Sequence, residues 1–117
     1  MIRVLQEAEI GHVLATYSGA YCELWKYTVS HKKLAVRLSF LQQPVSLYLI
    51  SSSCESMSGP FSWHQAALAY STKEGCMQQA DFLSTVTDEA AGFTLVSSGG
   101  ISFFLVSDDE TDFLADF

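Results

Sequence analysis

The sequence predicts an α+β fold that is predominantly β, and three observations carry that prediction. Residues 33–53 alternate apolar and polar side chains with the period of two that marks half-buried strands. Short runs of the same kind recur along the chain, separated by glycine, proline and serine. Only one stretch has a clear helical spacing. The expected architecture is an antiparallel meander sheet or partly closed barrel of about six to seven strands with one short helix at about 77–91.

Residues 1–10 suit either a short helix or an edge strand over Ile2 to Leu5. Val13, Ala15 and Tyr17 alternate as in a strand, and Ser18-Gly19-Ala20 supplies a glycine for a tight hairpin. Tyr21 to Val29, rich in aromatic and β-branched residues, reads as the next strand. Ser30-His31-Lys32 is a polar turn into the clearest pair of the chain. In the first strand of that pair, Leu34, Val36, Leu38 and Phe40 oppose Lys33, Ala35, Arg37 and Ser39. In the second, which Pro44 can open, Val45, Leu47 and Leu49 oppose Ser46, Tyr48 and Ile50, so both faces are partly apolar, as in a central strand. Residues 12–53 therefore read as a four-stranded meander.

Cys54 to Pro60 is small-residue sequence ending in Gly-Pro, a loop or corner. Residues 61–72 admit a helix, with Ser62 as N-cap and Gln65 three residues on, or a strand with Ala66, Leu68 and Tyr70 on one face; the strand is preferred. Lys73-Glu74-Gly75 is a turn. From Met77 to Ala91 the spacing of Ala80, Leu83, Val86 or Thr87, and Ala90 predicts the helix, with Gly92 to end it. Phe93 to Ser97 and Ile101 to Ser107 read as strands of a hairpin turned by Ser98-Gly99-Gly100. In the second of them Ile101, Phe103 and Leu105 oppose Ser102, Phe104 and Val106, so it is central or at an interface. The acidic segment at about 108–117 is a solvated tail or short amphipathic stretch.

A chain of 117 residues is expected to form a single domain with a sizeable core. Charged residues are only 16% against 49% hydrophobic ones, below the usual charged share of roughly 25%. Either an apolar patch is left for a protein partner, or Ser and Thr coat the surface. The net charge of −7 rests on only six basic residues, scattered apart from Lys32-Lys33. Nucleic acid is disfavoured as a partner, since phosphate binding needs clustered cations, whereas a basic protein partner is compatible. Cys22, Cys54 and Cys76 have no framework spacing, which fits a reducing, cytoplasmic setting. The first residues carry no signal-peptide pattern and no run is long enough to span a membrane, so no membrane association is expected.

No constellation for chemistry stands out. His12, His31 and His64 are far apart, and no zinc spacing is present. The acidic tail lacks the glycine of a calcium loop. Cys54 and His64 flank the Gly59-Pro60 corner as a thiol and an imidazole, but a thiol at a strand end reads first as a small buried hydrophobe. There is no Gly-x-Ser-x-Gly elbow and no phosphate loop. The expectation is a non-enzymatic, acidic protein-interaction domain without metal or cofactor, acting as a homo-oligomer or on a protein partner. One form of the homodimer would use a sheet face or the edge of the Ile101 to Val106 strand. Candidate ligand or interface residues are Trp25, Tyr48, Trp63, His64, Phe103 and Phe104. The alternative is a small-molecule-binding domain or small hydrolase, with an aromatic pocket near Trp63 and His64.

Overall fold

A computed structural model describes residues 1–74, 82–115 and 117. Its elements are β1 (Ile2–Val4), α1 (Glu7–Thr16), β2 (Tyr21–Thr28), β3 (Lys33–Ser39), β4 (Val45–Ser51), β5 (Cys54–Ser58), β6 (Ser62–Trp63), β7 (Ala69–Glu74), β8 (Phe82–Asp88), β9 (Phe93–Ser97) and β10 (Ile101–Ser107). The fold is α+β and predominantly β; the described residues form one short helix and two antiparallel sheets that do not close into a barrel. Sheet A has six strands in the order β1-β10-β4-β3-β2-β6, and sheet B has four in the order β5-β9-β8-β7. No helix among the described residues is long and apolar enough to cross a membrane.

The central pair of the sequence is β3 and β4, in the register Val36 to Leu49 and Leu38 to Leu47. Their alternation places Val36, Leu38, Leu47 and Leu49 in the core, with Phe103 of β10 beside Leu49. From sheet B, Val86, Phe93 and Leu95 complete that core, and Ile10, Val13 and Leu14 of α1 join it.

The helix lies at the other end of the chain from its expected place. Val13, Ala15 and Tyr17 suggested a strand, but Ile10, Val13, Leu14 and Tyr17 are the buried set, at the i, i+3, i+4, i+7 positions of a helical face. A Glu9 carboxylate oxygen accepts the Gln6 backbone N–H at 2.8 Å and so satisfies one donor of the first turn. Consequently Ser18-Gly19-Ala20 joins a helix to a strand rather than two strands, and the meander has three strands, β2 to β4.

The expected helix at 77–91 is replaced, over Phe82–Asp88, by β8; residues 77–81 lie outside the described residues. Ser84, Val86 and Asp88 point inward from β8. Two of these three are polar, so the alternation of a buried strand is hidden in the sequence, and the spacing of Leu83, Val86 and Ala90 mimics a helix. Thr85, Val86 and Thr87 nonetheless have the β-branching that strands favour.

Two further local expectations are corrected. Residues 54–58, read as a loop, form β5 and pair with β9. The strands β9 and β10 exist, but they are not a hairpin: β9 belongs to sheet B and β10 to sheet A. Chain crossings between the sheets run side by side at Ser52-Ser53 and Ser98-Gly99-Gly100, bound through Ser52 N–H to the Gly100 carbonyl (3.0 Å), Gly99 N–H to the Ser52 carbonyl (3.0 Å) and Ser98 N–H to the Ser53 carbonyl (3.1 Å). A Cβ on Gly99 would stand 2.6 Å from the Ser52 oxygen, so this close approach requires glycine. The preferred strand at 61–72 is present in two pieces, β6 and β7.

Candidate functional site

The outer face of sheet A carries the densest arrangement of aromatic and charged side chains. One row of cross-strand neighbours runs over all six strands: Ser62, Glu23, Arg37, Tyr48, Phe104 and Val4. Directly opposite positions on adjacent strands share a face and touch. The Arg37 guanidinium lies 3.3 Å from a Glu23 carboxylate oxygen and packs over the rings of Trp25 (4.8 Å to the centroid) and Tyr48 (6.0 Å). The Arg37 side chain remains 23% exposed, and its Nε has no hydrogen-bond partner among the described residues.

A bulge brings Trp25 into this group. The register of β2 against β3 shifts between Leu24 and Lys26, so strict alternation fails there and Trp25 and Lys26 both serve the outer face. Trp25 meets Tyr48 edge-on, with ring centroids 6.3 Å apart, and is 47% exposed.

The acidic C-terminal segment is laid across the same face. Phe113 stands edge-on to Tyr48 at 5.1 Å and to Phe104 at 5.3 Å, the geometry that ring quadrupoles favour. Lys26 Nζ donates to the Leu114 carbonyl at 3.1 Å and lies 5.8 Å from the centroid of the Phe117 ring. The start of the segment is held separately, by Asp108 N–H on the Pro44 carbonyl (2.8 Å) and by the Met1 amine 2.8 Å from Glu110 Oε1. The hydrogen bond to Glu110 raises the amine's pKa, while that of Ser107 and then the amine's charge lower that of Asp109. A groove of about 510 Å³ stays open between segment and sheet, with Trp25, Arg37, Tyr48 and Phe113 in its wall.

Arg37 also borders a second hollow, of about 560 Å³, whose far side is Tyr21 and His64. The rings of Tyr21 and His64 stack at 4.7 Å.

The six candidate residues thus divide between the two faces of the sheet. Trp25, Tyr48 and Phe104 meet on the outer face, and His64 lies exposed at its margin. Phe103 is buried in the core, edge-on to Tyr70 at 5.0 Å. Trp63 is turned inward as well, packed on Phe93 at 4.8 Å and hydrogen-bonded to the buried Asp88. Trp63 and His64 therefore do not wall one pocket with Trp25 and Tyr48. Arg37, Lys26 and Phe113 are the members that sequence reasoning passed over. The Glu23 and Arg37 pairing was the available signal, but it becomes visible only once β2 and β3 are placed in register.

The thiol of Cys54 contacts the Ser56 carbonyl oxygen at 3.7 Å, and burial first of all holds its pKa above the ordinary thiol value. This favours the thiol over the nucleophilic thiolate. Among the described residues, no three His, Cys, Asp or Glu side chains converge as metal ligands. No family model, curated protein or solved structure matches the chain.

Proposed function

We propose that this chain is a non-catalytic protein-interaction domain that binds a protein partner through the outer face of sheet A. The observation that carries the reading is Arg37 held between Trp25 and Tyr48. Binding energy at protein interfaces concentrates in Trp, Tyr and Arg, because these residues combine large apolar area with directional polar groups. Here all three are in mutual contact, already ordered, and still partly exposed. Ordering them in advance reduces the entropy lost on association.

Among the forms of self-association, pairing through the edge of β10 is disfavoured, because β4 pairs along one side of it and β1 over residues 104–106 of the other. Stacking of two outer faces would have to displace Phe113 from Tyr48 and Phe104 in both copies at once, whereas a separate protein displaces it in one. A separate protein is therefore the preferred partner.

The test is selection of random peptides on the immobilised protein, with counter-selection on Arg37→Ala and Trp25→Ala chains whose melting shows them folded. Peptides that bind the native chain and are lost on both variants support the reading. Peptides that bind all three chains alike overturn it.

A second reading, small-molecule binding, is favoured by a groove that adjoins this face at Trp25 and Lys26. An apolar groove of about 460 Å³ opens between β2 and β5, lined by Leu24, Tyr27, Leu34, Met57 and Phe61. Phe61 is 76% exposed at its rim. An apolar dye bound there would be lost in Phe61→Ala with little change in stability, whereas unchanged dye binding would remove this alternative.

A further inference from the structure

The geometry points to an aromatic segment of a partner protein, of the pattern Phe-Leu-x-x-Phe, as what the outer face of sheet A receives, with this chain's own Phe113, Leu114 and Phe117 closing that face in the free protein. This inference rests on the interaction reading above and names the partner's chemistry.

The contacts made in cis define what is recognised. Tyr48 and Phe104, neighbours in register on β4 and β10, form a two-ring corner that takes the edge of one aromatic side chain, Phe113. Lys26 takes the backbone carbonyl of the next residue and the face of an aromatic ring three residues further on. The two phenylalanines are four positions apart, and backbone hydrogen bonds Ala115 N–H to Asp112 carbonyl (3.0 Å) and Phe117 N–H to Leu114 carbonyl (3.2 Å) curl the segment into turns. Rings four residues apart on a curled backbone project to the same side, which is how apolar grooves read amphipathic turns. The lysine on the Leu114 carbonyl, which also accepts the Phe117 N–H, is the corresponding polar contact.

The same contacts indicate why the closure is reversible. The start of the segment is fastened by the Asp108 N–H on the Pro44 carbonyl and the Met1 amine on Glu110, and its end by the rings around Phe113 and by Lys26. Thr111 and Asp112, which lie between, are both exposed. Beyond them the segment leaves a groove beside it rather than filling the face. Exchange of the segment between two copies is limited by the same fastening: with residue 110 held, the three steps to Phe113 span at most about 10 Å. A segment from another protein has no such tether.

The experiment uses a fluorescein-labelled peptide with the sequence of residues 108–117, titrated into the 117-residue chain and followed by polarisation. The native chain competes with the peptide through its own segment, at an effective concentration on the order of millimolar. Phe113→Ala/Phe117→Ala removes the competitor, and peptide affinity is expected to rise by at least about tenfold. Because Phe113 is half-buried and its loss can disturb the fold, a second chain, Thr111→Gly/Asp112→Gly, loosens the tether without touching the face, and a smaller rise is expected. A peptide with both phenylalanines replaced by alanine should not bind. Equal affinity for all three chains, or equal binding of the alanine peptide, overturns the inference. If random peptides lacking the aromatic pair bind the native chain in an Arg37-dependent way while this peptide fails, the interaction face stands and the inference about its occupant falls.

Discussion

The indole N–H of Trp63 donates to Oδ2 of Asp88 at 2.8 Å, tying the edge strand β6 of sheet A to β8 in sheet B. Asp88 is 1% exposed, and it also accepts the backbone N–H of Ala67 (2.9 Å) and of Ala91 (3.3 Å). One inward carboxylate thus satisfies three donors from three parts of the chain. Asp88→Ala leaves those donors without an acceptor and is expected to destabilise the protein by about 4 kcal/mol, because each unsatisfied buried group costs about 1–3 kcal/mol. Urea unfolding of the native and variant chains measures the difference. A loss below about 1 kcal/mol would show that water replaces the carboxylate at little cost.

Two glycines should respond oppositely to alanine. Gly59 has φ of 122°, and a Cβ there would stand 2.7 Å from the Gly92 oxygen and 2.8 Å from the Phe93 Cα. Gly59→Ala is expected to cost about 2–4 kcal/mol through strain and displaced backbone. Gly11 lies in α1 with an ordinary helical backbone, and a Cβ there would meet nothing within 4 Å. Gly11→Ala should add about 0.5–1 kcal/mol by lowering the entropy of the unfolded chain. Thermal melting of the two variants checks both signs.

Alkaline pH should weaken the fold through Cys22. Burial, with lesser contributions from Asp88 and Glu23, pushes its thiol from an ordinary 9.0 up to about 12. Between those values the unfolded chain releases the proton while the folded chain keeps it. The stabilisation is therefore complete below pH 9 and is lost as pH rises toward 12. At 1.36 kcal/mol per pH unit, the whole rise is worth about 4 kcal/mol. Tyr17, raised chiefly by burial and then by Asp108, acts in the same direction. Urea midpoints measured from pH 7 to 11 should fall more steeply for the native chain than for Cys22→Ala. Parallel curves would remove Cys22 as the cause.

Light scattering at low and at high salt should give a monomer's mass. The segment laid over sheet A by Phe113 occupies the face that two copies would otherwise stack, and the edge of β10 is covered by β1 over residues 104–106. A dimer stable at both salt concentrations would instead identify a second copy as the partner.

The legible parts of the sequence were those where chemistry and burial agree. In β3 and β4, Leu34, Val36, Leu38, Leu47 and Leu49 alternate and are all buried, so both strands and their pairing could be read directly. In β8 the buried positions include Ser84 and Asp88, and the polarity of Asp88 is compensated by tertiary hydrogen bonds that no local window contains. For α1, Gly11 lowers helix propensity and the run Val13, Ala15, Tyr17 imitates a strand; Ile10 and Leu14 carried the contrary signal. At the site, Trp25, Tyr48 and Phe104 were marked by their aromaticity alone. Arg37 and Lys26 were not, because a cross-strand register and a bulge place them. Trp63 and Phe103 were marked by the same aromaticity and lie inward, since residue type does not say which face of a strand a side chain takes.

The position of β10 between β1 and β4 bears on how the chain matures. Residues 2–4 pair with residues 104–106, so β1 leaves the ribosome long before its partner does. Until β10 arrives, β4 presents an unpaired edge and sheet A lacks the strand between its two flanks. Such long-range pairing slows folding and lengthens exposure of sticky edges. Chains halted before residue 101 would be aggregation-prone clients for chaperones, and completion of sheet A would be a late event in the life of the chain.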